Sequence, residues 1–232
     1  AVLGADVVAE DQRDVAFGVE GMGENNPLQI APINNNIWRT IVSRVGARYE
    51  NCRAKNVEFS PDREVAKRQR ELIARLEGYA DNMTENVKAG RGVVFYGPTG
   101  TGKDHLLVAL MRKAAHCCIP VEWRNGVTLF ADVRDSFDSE RTESSVAAEL
   151  IKPDVLAISD PLPPFGNLTQ FQSTFLFSVL DARYRQLKPT WVTSNFKDGA
   201  EAADRMGIQI IERLKDQSLA LHCNWPSYRK PQ

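Results

Sequence analysis

A chain of 232 residues, 43% hydrophobic and 25% charged, is long enough to bury a full α/β core. A net charge of -1 and a pI near 6.4 exclude a globally basic nucleic-acid binder, so any contact with DNA has to come from a local surface. Cys52, Cys117, Cys118 and Cys223 form no C-x-x-C pair and have no matching histidine spacing, which argues against zinc; no run reaches the ~18 apolar residues of a membrane helix and no apolar leader stands near the start, so a cytoplasmic protein without membrane contact is expected.

Residues 1–42 lack sustained periodicity and carry Asp6, Glu10, Asp11, Asp14, Glu20 and Glu24, which predicts a flexible, disordered or partner-binding N-terminal arm ahead of one domain over 43–230. Two apolar segments, Val2 to Val8 and Ile37 to Val42, can each dock on the domain itself or on a partner. Ser60-Pro61-Asp62-Arg63-Glu64 reads as an N-cap, a proline at the first helical position and acidic residues that suit the helix dipole. Val65, Leu72, Ile73 and Leu76 then recur at helical spacing, and the chain runs through Tyr79 to Lys88 into the strand Val93 to Tyr96. After a glycine-rich loop a helix is predicted from Lys103 to about His116, then a strand from Pro120 to Trp123, a helix from Thr128 to Phe137 and a charged loop from Asp138 to Ser145. Asp154 to Asp160 is a third strand. The stripe Phe171, Phe175, Leu176, Val179 and Leu180 is a helix, Pro189 to Asn195 a fourth strand, Ile208 to Leu214 a short helix and Leu219 to Cys223 a last strand. Strands alternating with helices predict an α/β fold with a parallel sheet of about five strands flanked by helices.

The loop is the informative stretch. Gly97-Pro98-Thr99-Gly100-Thr101-Gly102-Lys103 has the G-x-x-x-x-G-K spacing of a phosphate-binding P-loop between a strand and a helix. Its glycines turn successive N–H groups toward one point, and Asp104 and His105 continue into a helix N-terminus, so an anion nest, a dipole end and a lysine converge on the β- and γ-phosphates of ATP. The motif should close with Ser or Thr, whose hydroxyl holds Mg2+, and Asp104 stands there instead.

A second departure lies at the end of the third strand, where a metal-holding carboxylate should be followed by an acid that orients the attacking water. Counting Val155 to Ile158 as the apolar run puts Ser159 at the metal position and Asp160 at the water position; a shifted register makes Asp160 the metal carboxylate and leaves Pro161 in the catalytic slot. Asp104 and Ser159 read together as an exchange, in which the carboxylate has moved to the loop and the hydroxyl to the strand, both hard oxygen donors for magnesium. The competing reading is a weakened site, where a carboxylate beside the phosphates repels them.

The segments Gly97 to Leu106, Val155 to Asp160, Asp181-Ala182-Arg183-Tyr184-Arg185 running to Asn195, Ile211-Glu212-Arg213-Leu214, and Asn224-Trp225-Pro226-Ser227-Tyr228-Arg229 resemble, in order and spacing, the DnaC/IstB branch of AAA+ ATPases. The resemblance spans about Val45 to Arg229, and the closing segment is most similar to DnaC-type replicative helicase loaders. It implies an ATPase that binds single-stranded DNA and a hexameric replicative helicase and that self-associates on ATP binding. By residue, it implies that Asn195 reads the γ-phosphate, that Arg213 reaches a neighbouring subunit, and that Arg229 is a second sensor. Asp104 and Ser159 depart from the family pattern, and no four-cysteine zinc module precedes the domain. Arg112, Lys113, Arg124 and Arg134, with Trp123 and Phe130 as stacking platforms, are the candidates for DNA contact; a solvated face and core aromatics are the plainer reading of the same residues. The alternatives are a transposition helper of the IstB type, and a nucleotide-binding interaction switch that hydrolyses little or no ATP.

Overall fold

The computed structural model describes residues 32–136 and 141–229; the expected segment Val2 to Val8, most of the acidic arm, and Lys230 at the expected end of the domain lie outside them. Five parallel strands, β1 (Val93–Tyr96), β2 (Val121–Asn125), β3 (Val155–Ser159), β4 (Thr190–Ser194) and β5 (Leu219–His222), form one sheet in the order β2-β3-β4-β1-β5. The predicted parallel sheet of about five strands is therefore present.

The inner strands β1, β3 and β4 are short and largely apolar because both faces are covered, whereas the edge strands β2 and β5 carry Glu122, Arg124, Asn125 and His222. Alternate residues feed two cores. Val93, Phe95, Val155, Ala157, Trp191 and Leu221 point to one face, under α1 (Asn35–Val45), α2 (Arg63–Asp81) and α4 (Lys103–His116). Val94, Leu156, Ile158 and Val192 point to the other, under α5 (Gly126–Ser136), α6 (Glu143–Ile151), α7 (Gln170–Arg185), α8 (Gly199–Met206) and α9 (Ile208–Lys215). A short helix α3 (Met83–Lys88) turns the chain from α2 into β1. Trp191 is fully buried at the centre and donates its indole N–H to the Tyr79 hydroxyl at 3.1 Å, which in turn donates to the Arg91 carbonyl at 2.5 Å.

Several elements depart from their sequence-based limits. α2 is capped by Asp62, whose carboxylate accepts the N–H groups of Glu64 and Val65, both at 2.9 Å. Ser60, the predicted cap, instead accepts the Asp62 N–H at 3.2 Å, so Pro61 precedes the cap. A charged acceptor nearer the free donors wins the position. Helix α1 runs across the expected 42/43 division, with Trp38, Ile41 and Val45 buried against β2 and α4, so the apolar segment Ile37 to Val42 docks on its own domain. Helices α6 and α8 begin at Thr142 and Asp198 caps that stand in stretches without a long apolar stripe.

Arg183, in the Asp181–Arg185 stretch, is fully buried. Its guanidinium donates to the carbonyls of Leu150, Ile151, Pro153, Asp154 and Pro189 and to the Thr190 hydroxyl, at 2.7 to 3.3 Å. One side chain thus ties the end of α6, the start of β3 and the start of β4 to α7, and burial lowers its pKa to about 9.

Candidate nucleotide site

The loop between β1 and α4 lies at the carboxyl edge of the sheet, where an open α/β fold places its ligands. Gly97 has φ +134°, and a Cβ there would stand 2.6 Å from the Cys223 carbonyl; Gly100 has φ +83° and faces the Ser227 side chain with no room for a Cβ. Only glycine combines that backbone with such close approach. The Thr101 hydroxyl closes the loop by donating to the Pro98 carbonyl at 2.9 Å. Lys103, buried, turns its ammonium back onto the carbonyls of Gly97 at 2.9 Å and Pro98 at 2.7 Å. Burial lowers its pKa, while Asp160 is the strongest of the neighbours that hold the charge on.

Strand alternation aims the next group of side chains. Ser159 follows Val155 and Ala157 on the face beneath α4, and Thr193 follows Trp191 on the same face, paired with Ser159 across β3 and β4. Both hydroxyls meet Asp104 in the first turn of α4. Ser159 Oγ and Thr193 Oγ1 each donate to Asp104 Oδ1 at 2.8 Å. The two departures from the expected motif are thus direct partners, and it is Ser159 that touches Asp104. Asp160 follows with φ +46°, a left-handed conformation that Asp tolerates, and its N–H donates to the Thr193 carbonyl at 3.0 Å. Asn195, just past β4, donates its amide to Asp160 Oδ1 at 2.8 Å. Burial raises the Asp160 pKa and the Asp104 charge raises it further, against Lys103, Asn195 and Arg229.

A cavity of about 390 Å³ opens over this cluster, lined by loop residues Thr99 to Leu106, by Asp160 and Asn195, and on the far side by Tyr49, Cys52, Asn56, Val57 and Ile73. Gly97 and Pro98 bear on it through the Lys103 ammonium that their carbonyls hold. His105 lines the cavity and its Nε2 lies 2.8 Å from the Arg53 carbonyl, tying α4 to the turn that forms the far wall.

The segment after β5 closes the third side. Trp225 donates its indole N–H to the Thr101 carbonyl at 3.0 Å, Tyr228 donates its N–H to the Gly100 carbonyl at 2.9 Å, and Arg229 lines the cavity. Every predicted nucleotide-contacting and metal-site residue is in this one place, together with Asn195 and Arg229. Arg213 is elsewhere. It sits in the last turn of α9, donates from Nε to Asp181 Oδ1 at 2.9 Å and lies 4.9 Å from the centre of the Tyr184 ring. Thr193 was not singled out by sequence reasoning, although its period-2 relation to buried Trp191 aims it at α4.

The loop fits a nucleoside triphosphate: the backbone is wound as an anion nest, a buried lysine stands at its mouth, and the cavity beyond is half lined by apolar and aromatic groups. The oxygens of Asp104, Ser159 and Thr193 fit a hard cation that takes its remaining ligands from phosphate and water. Among the described residues no cluster of three or more His, Cys, Asp or Glu side chains holds a metal by itself. No described helix is long and apolar enough to cross a membrane. Of the candidate DNA-contact groups, Arg112 stacks 4.8 Å over Trp38, Lys113 pairs with Asp81, Arg124 pairs with Glu122 and Glu149, and Phe130 is buried, while Trp123 is half-buried and Arg134 is exposed.

A family model described as IstB-like ATP binding protein matches residues 52–232. No curated protein sequence matches the chain. Among solved structures, a DnaC helicase loader is 20% identical with a TM-score of 0.66, over 76% of this chain and 99% of that one. DnaI is 20% identical with a TM-score of 0.63, over 79% and 94%. A replication initiator DnaA bound to AMPPCP and single-stranded DNA is 14% identical with a TM-score of 0.57, over 76% and 50%. At these identities the likeness is one of fold, that of the AAA+ P-loop ATPases.

Proposed function

The chain belongs to the IstB-like ATP-binding family, and from that premise we propose that it is an ATP-binding helicase loader, or a replication accessory ATPase of that kind, acting with single-stranded DNA and a hexameric helicase. The observation that carries the nucleotide part is the convergence of Lys103, Asp104, Asp160, Asn195 and Arg229 on one cavity, with buried Ser159 bonded to Asp104. The loader part is supported by fold likeness to DnaC and DnaI over nearly the whole of those chains.

In this reading the loop N–H groups of Gly100 to Lys103 cradle the phosphates and Lys103 leaves its loop carbonyls for the β- and γ-oxygens. Asp104 and Ser159, steadied by Thr193, are the residues that hold Mg2+, which when bound neutralises charge on the phosphate oxygens. Asp160 holds the attacking water and accepts its proton; its raised pKa suits a base, and Asn195 fixes the orientation of its carboxylate. Arg229 faces the terminal phosphate. Arg213, on α9 and away from the chain's own cavity, acts on the nucleotide of a neighbouring subunit, which makes hydrolysis dependent on assembly.

The deciding experiment is steady-state ATP hydrolysis with magnesium, with and without single-stranded DNA, beside an Arg213→Ala control, followed by pull-down against a hexameric helicase. Hydrolysis that is stimulated by DNA and lost in the control, with helicase retained, is expected. Retention of a transposase in place of helicase marks the IstB-type helper. Tight ATP binding with no hydrolysis marks a nucleotide switch.

A further inference from the structure

Gln69 lies on α2, is 1% exposed, and lines the nucleotide cavity from outside the phosphate loop. Its amide is nonetheless fully oriented. The Gln69 Oε1 accepts the Ser60 N–H at 2.8 Å, which leaves Nε2 to donate, and it donates to the Tyr228 hydroxyl at 2.7 Å across 159 positions of sequence. Because a backbone N–H can only donate, the amide has one sense, and the Tyr228 oxygen is fixed as an acceptor.

Tyr228 in turn sits on the phosphate loop. Its N–H bonds Gly100, its ring packs against Gly102, and the adjoining Ser227 side chain occupies the space a Cβ at Gly100 would need. Arg229 follows directly, and its N–H donates to the Ser227 hydroxyl at 3.0 Å. Residues 224–229 form no helix or strand, so their placement depends on these bonds together with buried Trp225 and its bond to Thr101. Among the described residues, the Tyr228 hydroxyl is held from α2, by Gln69.

Resting on the nucleotide reading above, we propose that Gln69 is a positioning residue: through Tyr228 it holds the Ser227–Arg229 segment against the loop so that Arg229 meets the terminal phosphate, and it thereby sets the preference for nucleoside triphosphate over diphosphate. A purely structural role for Gln69 weakens binding of both nucleotides alike. A positioning role acts on the γ-phosphate alone.

The test is titration of the full chain with fluorescent ATP and ADP analogues in magnesium, for the parent and for Gln69→Leu, Tyr228→Phe and the double variant, with thermal melts beside each. Each single variant is expected to lose about tenfold in ATP affinity, the equivalent of one hydrogen bond, with ADP affinity within about twofold of the parent. The double variant should be no worse than the worse single, because the two groups act as one unit. Gln69→Glu, whose carboxylate accepts from both Ser60 and a rotated Tyr228 hydroxyl, should keep the ATP preference. Equal losses for ATP and ADP, or additive losses in the double variant, overturn the proposal while leaving the nucleotide site standing. A parent chain that binds neither nucleotide overturns both. Tyr228→Phe removes one partly exposed oxygen, so its result stands even if Gln69→Leu does not fold.

Discussion

Replacing Asp104 with Asn keeps the shape of the side chain and the acceptor oxygen on which the Ser159 and Thr193 hydroxyls converge at 2.8 Å, and removes only the charge. A hydrogen bond to a charged acceptor contributes roughly 1.5–3 kcal/mol and a neutral one about 0.5–1.5, so the two bonds together lose about 2 kcal/mol. Relief of the repulsion that raises the Asp160 pKa offsets part of that loss. The effect on ligand is larger and has two signs. A carboxylate about 4 Å from a phosphate charge at an effective dielectric near 20 repels it by roughly 4 kcal/mol. In chelator, therefore, Asp104→Asn should bind ATP at least tenfold more tightly than the parent. In magnesium, where the parent carboxylate changes from a repelling group to a ligand, the variant should bind about tenfold more weakly. Fluorescent-nucleotide titration of both proteins in each condition reads the crossover directly. If the ratio of affinities with and without magnesium is the same in the two proteins, Asp104 does not hold the metal and the exchange of carboxylate and hydroxyl between loop and strand is wrong.

Asp160→Asn retains the left-handed backbone, which Asn tolerates, and should lower hydrolysis by about a hundredfold or more. Because the folded-state pKa of Asp160 is raised, ionising it costs stability as pH rises through that value; the variant's melting temperature should exceed the parent's at neutral pH and the gain should vanish in acid, where the parent is protonated. A pH series of thermal melts with no such trend speaks against the raised pKa. Arg183→Leu should cost about 3–5 kcal/mol in urea unfolding, since five carbonyls lose the guanidinium they share, and Ile151 and Pro189 keep only Lys188 and the Leu156 N–H; a loss under about 1 kcal/mol would show that water replaces it freely. Lys103→Ala and Arg213→Ala chains, each inactive alone, should regain part of the hydrolysis rate when mixed, because an arginine acting between subunits needs only one intact site per interface. Mixtures that stay as inactive as their components would place Arg213 in a structural role with Asp181.

The site was legible where chemistry demands particular residues at fixed spacing. The loop from Gly97 to Lys103 and the strand ends at Ser159 and Asn195 are read directly, because phosphate cradling leaves few alternatives for glycine and lysine. All five strands are read as well: β1, β3 and β4 as buried apolar runs bounded by turn residues, and the edge strands β2 and β5 by their place after helical patterns in an alternating order. Helices α6 and α8 were not, for a physical reason: each buries only two side chains, Val146 and Leu150 or Ala202 and Met206, and relies on caps rather than a stripe. Thr193 and Gln69 escaped because their importance lies in what they face across β3 and across the cavity, a distance of 34 and 159 positions in sequence. Arg183 reads as a helix-surface cation until the sheet closes around it.

Lys103 has a thermodynamic consequence for any ligand. Its ammonium is already satisfied by the carbonyls of Gly97 and Pro98, so arrival of a phosphate is a substitution of one set of acceptors for another rather than a new contact. The binding enthalpy attributable to the lysine will therefore be small, and Lys103→Met will injure the empty loop as well as the liganded one, loosening carbonyls that the ammonium now gathers. Calorimetry on such a variant measures the difference between two hosts for one charge, and a modest value there is no sign that the lysine is idle.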